Sequence, residues 1–407
     1  MKQPKGIYLA GADRDAGKTT LSLGLLAALN ERLGRGAAFM KPIGQKSAQL
    51  DGTAVGQDSY LIEKALHLGL SLRYTAPFVA ASGAAEDYLA TGKPGYIARR
   101  ILRAYHRLAA KHDLVVVEGT GHPGVGAVFD LSNATVAAQL GTPVLLIIDG
   151  GIGSTIDRFT LCRALFQQEN VPILGIIMNR VLPAKMDKVR AAVEPWFRRQ
   201  DVPIFGWIPY NIALTKPSLG VLNRELKAET IHLANGGEAI IADYVAAFEN
   251  VETVMKEIAA KPDSILLVHH TRGDVMDALL ARKLAGSLET GPRAVILCGT
   301  TPAAVSSGKN HMAEACQKLG ISLFQTDYSP GRIASMMHHK IYKVEPEESV
   351  KIREIIRLVA ENVDLDGILE RLDILPGGRR KRRESIFRKL FALPWRKKRP
   401  ADEEPAG

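Results

Sequence analysis

Over residues 1–235, short unbroken apolar runs alternate with longer mixed stretches of helical length. The runs are Gly6–Ala10, Ala37–Lys41, Leu114–Glu118, Val144–Asp149, Ile173–Asn179 and Ile204–Pro209. A strand buried on both faces reads this way, because helices cover both sides of a parallel sheet. The alternation predicts an α/β fold with a mostly parallel, doubly wound sheet. A second, smaller α/β unit follows, with strands at Ile265–His270, Arg293–Leu297 and Ile321–Gln325. Its last helix is expected over Glu347–Val363, started by Pro346, whose fixed φ suits a first helical position. From Pro376-Gly-Gly378 onward the pattern is lost and basic residues take over. Three parts are thus expected: 1–235, 236–375 and a basic tail, 376–407.

In a parallel sheet, ligands gather beyond the carboxyl ends of the strands, so the residues after each run matter most. After the first run comes Gly11-Ala-Asp-Arg-Asp-Ala-Gly17-Lys18-Thr19, which matches G-x-x-x-x-G-K-[ST]. A strand precedes it and a helical stretch, Thr19–Leu29, follows it. This is the setting a polyphosphate needs: inward-facing backbone N–H groups and the partial positive charge of a helix N-terminus. Gly11, Asp13, Asp15, Ala16, Gly17, Lys18, Thr19 and Thr20 are the expected nucleotide contacts, with Lys18 on the terminal phosphates and the Thr19 hydroxyl on Mg²⁺. Glu118 ends the run Leu114–Glu118 and is a candidate metal oxygen beside the loop. Asp58 is read either as a third metal oxygen or as a helix cap. Lys41 ends the second run, where it would add positive charge near a transferring phosphoryl group or an anionic substrate.

The chain has 407 residues and a formal net charge of +10. Residues 379–407 hold eleven basic and four acidic side chains, so +7 belongs to the tail and only +3 to the rest. On that average, nucleic acid is not an expected partner of the body. No apolar run approaches the ~20 residues of a membrane span. The first strand starts at residue 6, so no signal peptide is expected, and the three cysteines lack metal or disulfide spacing. A cytoplasmic protein is the expectation.

Taken in order, GADRDAGKTT, FMKPIG, VGQDSY, VVVEGTGH, GTPVLLIID, LGIIMNRV and FGWIP resemble the dethiobiotin synthetase superfamily over about residues 5–235. That group includes the ATP-binding domains of cobyrinic and cobyric acid synthases and the N-terminal domain of long-form phosphate acetyltransferases. The resemblance implies ATP and Mg²⁺ as cofactors, with Thr19, Asp58 and Glu118 around the metal. It implies Lys18 and Lys41 as catalytic cations, Asn179 at the adenine edge, and a homodimer. Synthetases of this group phosphorylate a carboxylate-type oxygen. The segment Gly119–Asp130 departs from true dethiobiotin synthetases toward the cobyric type. No G-x-C-x-G turn of a glutamine amidotransferase is present, and Cys298 reads as a buried strand-end thiol. Residues 211–375 resemble a DRTGG domain through Thr215–Leu219, Leu226–Glu229, Arg272–Asp274 and Val363–Asp366. The name motif is degenerate there, as Gly273-Asp274-Val275 and Cys298-Gly299-Thr300. In long-form phosphate acetyltransferases a catalytic domain follows this region, so residues 1–407 alone are not expected to act as a phosphate acetyltransferase.

His269-His270 and His338-His339 are expected to be structural, since neighbours on a strand face opposite ways and cannot chelate together. In the tail, Arg379–Arg383 and Trp395–Arg399 flank Ile386–Phe391. That composition suits a solubilising segment, an anionic membrane surface reached through residues 379–399, or nucleic acid. Two functions follow. One is an ATP-dependent synthetase or phosphotransferase acting on a small carboxylate-type anion. The other is a regulatory ATP sensor without catalysis of its own, related to the accessory part of phosphate acetyltransferases.

Overall fold

The computed structural model describes residues 6–45, 47–50, 53–92, 95–234, 237–269, 271–288, 291–299, 306–340 and 342–374. The tail, with its membrane and nucleic-acid readings, lies outside them, as do His270 and Thr300. Two compact units form: residues 1–209 together with 353–407, and residues 210–352. The division thus falls after Pro209 rather than near 235, and the chain returns to the first unit at Arg353.

The first unit is built on six parallel strands: β1 (Gly6–Gly11), β2 (Ala37–Met40), β3 (Leu114–Glu118), β4 (Val144–Asp149), β5 (Ile173–Val181) and β6 (Ile204–Pro209). Their order is β6-β5-β4-β1-β3-β2, the doubly wound arrangement expected. The chain leaves β1 for the β2 edge, returns as β3 on one side of β1, then crosses to β4 on the other. Such a reversal opens a crevice at the carboxyl end of β1. The β1–β3 register sets Leu9 level with Glu118, so the carboxylate emerges beside the loop that follows Gly11.

The helix after that loop, Lys18–Arg32, is buried at every position from Leu21 to Leu29. A helix apolar all round needs cover on both sides. Here the sheet covers one side, and Ile355 and Val359, on the last part of the helix Ser349–Asn362, come close at Gly24. A Cβ on Gly24 would lie 2.6 Å from the Val359 Cβ and 3.2 Å from the Ile355 carbonyl oxygen, so only glycine fits the approach. Further on, Val363 bridges Gly206 and the Asp364 N–H donates to the Phe205 carbonyl at 2.7 Å. This segment therefore blocks part of the exposed edge of β6.

The second unit has β7 (Glu229–His232), β8 (Asp243–Ala246), β9 (Ser264–Val268), β10 (Ala294–Cys298) and β11 (Ser322–Thr326), in the order β7-β11-β10-β9-β8. Only β7 runs antiparallel, against β11. β7 and β8 are short and partly exposed, and neither is among the strands expected above. Helices Val251–Ala260, Gly273–Leu284 and Ser306–Leu319 all feed one core, through Met255, Met276 and Met312 among others. Leu219–Glu225 and Pro330–His339 pack in the other, through Leu222 and Ile333. From β8 to β11 the strands follow one another without reversal, as right-handed crossovers on a single face require. This sheet therefore has no switch point of the kind present beside β1.

Gly24→Ala should destabilise the first unit by about 1–3 kcal/mol through overpacking, although alanine is the better helix former. Gly153→Ala, at an open helix start, should cost nothing. Urea unfolding of the two variants side by side tests this; equal stability would remove the helix contact from the account.

Candidate functional site

The loop Ala12–Gly17 turns back over the carboxyl end of β1 and delivers the chain into the helix at Lys18. Gly17 has φ +86°, in the left-handed region, and a side chain there would run into the Asn179 amide. The Asn179 Nδ2 donates to the Ala16 carbonyl at 2.8 Å, tying the end of β5 to the loop. Lys18 is 6% exposed, and its ammonium donates to the carbonyls of Gly121 (2.8 Å), Arg14 (3.1 Å) and Asp13 (3.2 Å). The lysine thus lies under the loop and the β3 turn. No acid sits in the helix's own first turn. Asp13 pairs outward with Arg158 at 2.9 Å, and Asp15 is exposed. Gly11 is buried at the mouth of the loop, and Thr20 is half-buried one residue beyond Thr19.

Beside the loop, four of the expected residues meet. The Thr19 hydroxyl donates to Glu118 Oε1 at 2.8 Å and to Asp58 Oδ1 at 3.3 Å. The Lys41 ammonium lies 2.7 Å from the same Glu118 oxygen and 2.6 Å from Asp58 Oδ2. Glu118 is wholly buried and Lys41 nearly so. Burial alone would push the Lys41 ammonium down, but the carboxylates of Glu118 and Asp58 outweigh it and hold the group above the ordinary lysine value. A cation with a raised value adds stability that is fully present below its unfolded value and lost only as pH rises through the folded one. The pairing is therefore intact throughout the neutral range.

Sequence reasoning missed a surrounding layer. The fully buried Ser22 donates to Glu118 Oε2 at 2.9 Å, so both oxygens of that carboxylate are held. Its signal is a serine one turn after Thr19 within an otherwise apolar stretch. The Tyr8 hydroxyl donates to Asn133 Oδ1 at 2.9 Å, and the Asn133 Nδ2 donates to the carbonyls of Thr120 and His122, each at 2.7 Å. These bonds shape the turn that supplies the Gly121 carbonyl to Lys18. At the ends of β4 and β5, Arg180 makes a two-pronged pair with Asp149 at 2.9 and 2.5 Å.

The donor set Thr19, Asp58 and Glu118 is all oxygen, which fits Mg²⁺ held jointly with phosphate oxygens and water rather than in an all-protein cage. Among the described residues no three His, Cys, Asp or Glu side chains converge as a metal site. His269 bonds the Thr271 hydroxyl and His338 packs edge-on against Tyr244. Burial pushes the thiols of Cys162, Cys298 and Cys316 up to about 12, which leaves none of them activated.

A parallel sheet reversing beside a strand–loop–helix of this form, with a buried lysine under the loop and an acid one strand away, defines a P-loop domain. A family model described as AAA domain matches residues 5–218, and the chain belongs to that family. Two relatives differ in what they cover. The phosphate acetyltransferase of Nitratidesulfovibrio vulgaris is 21% identical over 372 residues, 90% of this chain and 51% of that protein. The ATP-dependent dethiobiotin synthetase BioD of Anaeromyxobacter dehalogenans is 30% identical over 222 residues, 53% of this chain and 96% of that protein. The chain spans about half the length of the phosphate acetyltransferases it matches. Among solved structures, the cell division ATPase MinD of Pyrococcus furiosus overlaps 52% of this chain and 85% of its own, at TM-score 0.33 and 18% identity. No helix among the described residues is long and apolar enough to cross a membrane.

Lys41→Met should cost about 3–5 kcal/mol at neutral pH, because Glu118 is left buried without a cation. The double variant Lys41→Met/Glu118→Gln should recover at least half of that loss in denaturant unfolding. If it recovers none, the pair is not what balances the site. In the native protein the three thiols should resist iodoacetamide at pH 8, and all three should label in denaturant; rapid labelling of the folded chain would contradict their burial.

Proposed function

We propose that the first unit binds Mg·ATP at Gly11–Thr20 and transfers the terminal phosphoryl group to an oxygen of a small carboxylate-type anion beside Lys41. The observation that carries this reading is the position of Lys41, a buried ammonium within 2.7 Å of both carboxylates that the P-loop threonine touches. In the resting protein that ammonium balances the buried Glu118, and a cation in the same place can also balance charge shifting between donor and acceptor. In this reading Gly11, Asp13, Asp15, Ala16 and Gly17 form the loop around the phosphates, Lys18 and Thr20 contact them, and Asn179 serves the base. Thr19, Asp58 and Glu118 would hold Mg²⁺, which supplies charge neutralisation of the phosphates. The acceptor oxygen attacks phosphorus, the bond to the ADP oxygen breaks, and an acyl phosphate and ADP result. Lys41 steadies the anion, and Ser22 keeps Glu118 from turning away. The ATP-dependent synthetases among the relatives support this reading.

One observation favours a second reading, a regulatory ATP sensor. The phosphate acetyltransferases match 90% and 95% of this chain, whereas the synthetases match little more than half. The second unit, here read as DRTGG-like, would then carry the response. Its unreversed sheet, with no crevice of the β1 type, weighs against a metabolite site in it.

ADP release followed with a panel of small mono- and dicarboxylates and amino-acid carbamates separates the two. One acid class should raise turnover at least tenfold. Lys41→Arg, which keeps the charge, should lower kcat by about 10²–10³ with ATP affinity held within a few-fold. Lys18→Ala should weaken ATP binding itself. Tight ATP binding with no acid-stimulated turnover would defeat the enzymatic reading and leave the sensor.

A further inference from the structure

The helix Tyr96–Ala109 divides its surface sharply. Ile97, Ile101, Ala104, Tyr105, Leu108 and Ala109 are buried against the first unit's core. Tyr96, Arg99, Arg100, Arg103, His106 and Arg107 are exposed and fall within an arc of about 120° at 100° per residue. The helix contains no acid. Among the described residues, none of the four arginine side chains has an ion-pair or hydrogen-bond partner. Lys111 extends the same charge one turn further.

The neighbouring elements do not neutralise the face. Helix Leu72–Thr75 packs against this helix and carries no acid, only the exposed Arg73, and helix Asn133–Leu140, which also packs against it, has no charged residue. Asp113 is taken by Arg35, and the Glu63 carboxylate accepts the backbone N–H groups of Gly69 and Leu70. Like charges four apart on a helix, as at Arg99, Arg103 and Arg107, cost about 0.2–0.5 kcal/mol per pair. Folding gains nothing from that repulsion, so it points to a ligand.

We propose that the exposed face of the helix Tyr96–Ala109 docks on the phosphate backbone of a double-stranded nucleic acid. Arg99, Arg103 and Arg107 step along one line at about 6 Å intervals, and their guanidinium forks suit phosphate oxygens. A duplex carries one charge per about 1.7 Å of axis, so the ~12 Å from Arg99 to Arg107 meets several phosphates at once. A bilayer is the poorer match, because the apolar side of this helix is consumed by the core and only Tyr96 remains to insert. Pairing of the face with itself in a symmetric dimer would set arginine against arginine. The net charge of +3 outside the tail hides this surface because it averages over acids placed elsewhere.

The test is fluorescence anisotropy of a mixed-sequence 30-base-pair duplex with the full chain, as a function of salt. The triple variant Arg99→Gln/Arg103→Gln/Arg107→Gln should bind at least about tenfold more weakly, and its log–log salt slope should fall by about 3. Arg99→Lys/Arg103→Lys/Arg107→Lys should keep the slope. An unchanged thermal midpoint and ATP affinity confirm that the variants are folded. The residues of the tail are the same in all three proteins, so equal affinities and slopes would assign any binding to the tail and overturn the proposal. Binding to phosphatidylserine vesicles but not to the duplex, lost in the glutamine variant, would overturn it in favour of a membrane.

Discussion

A fully buried carboxylate must be balanced, and in this protein that constraint organises the site. Glu118 stands at 0% exposure at the end of a strand flanked by strands on both sides. It is held by a hydroxyl at each oxygen, Thr19 and Ser22, and by the ammonium of Lys41. Removing any one of these partners would leave a charge in an interior where solvation is several kcal/mol poorer. Three elements far apart in sequence are thereby obliged to meet: the P-loop helix, the end of β2, and β3. Asp58, from the start of the helix Gln57–Leu66, completes the square through the second contact of Lys41.

The same helix that brings Thr19 and Ser22 to Glu118 makes a second demand. It presents no polar face, so it stays folded only between the sheet and a further apolar surface. Residues 353–374 supply that surface and block part of the β6 edge. Site and stability are therefore linked by a single helix: its first turn addresses the carboxylate, and its middle addresses Val359 and Ile355. Whatever loosens the contact at Gly24 reaches Thr19 and Ser22 within one or two turns.

Local features are legible in the amino-acid sequence itself. The loop Gly11–Thr19 announces itself because its motif, strand and helix are consecutive, and the six strands because burial on both faces leaves an unbroken apolar run. Lys41, Asp58 and Glu118 are recognisable by type and by their places at strand or helix ends; their distances depend on register and are not written in one dimension. Ser22, Tyr8 and Asn133 are not legible, since a polar side chain inside an apolar element shows its purpose only once its facing neighbour is known. The unit boundary is misplaced by sequence for a related reason. The helix over 349–362 has one continuous amphipathic pattern, and periodicity does not say that its later residues pack with a body begun at the other end of the chain. Average charge conceals the arginine face, because a sum discards position.

The return of the chain to the first unit has a consequence for how the molecule is made. Residues 210–352 are translated between the last strand of the P-loop unit and the segment that covers its helix. At a synthesis rate of 5–20 residues per second, those 143 residues take roughly 7–30 s to emerge. For that interval the nascent P-loop unit has its nucleotide loop but not its apolar lid. A chain arrested anywhere within the second unit would be an ATP-site protein with an uncovered helix, which is a natural substrate for chaperones during biosynthesis.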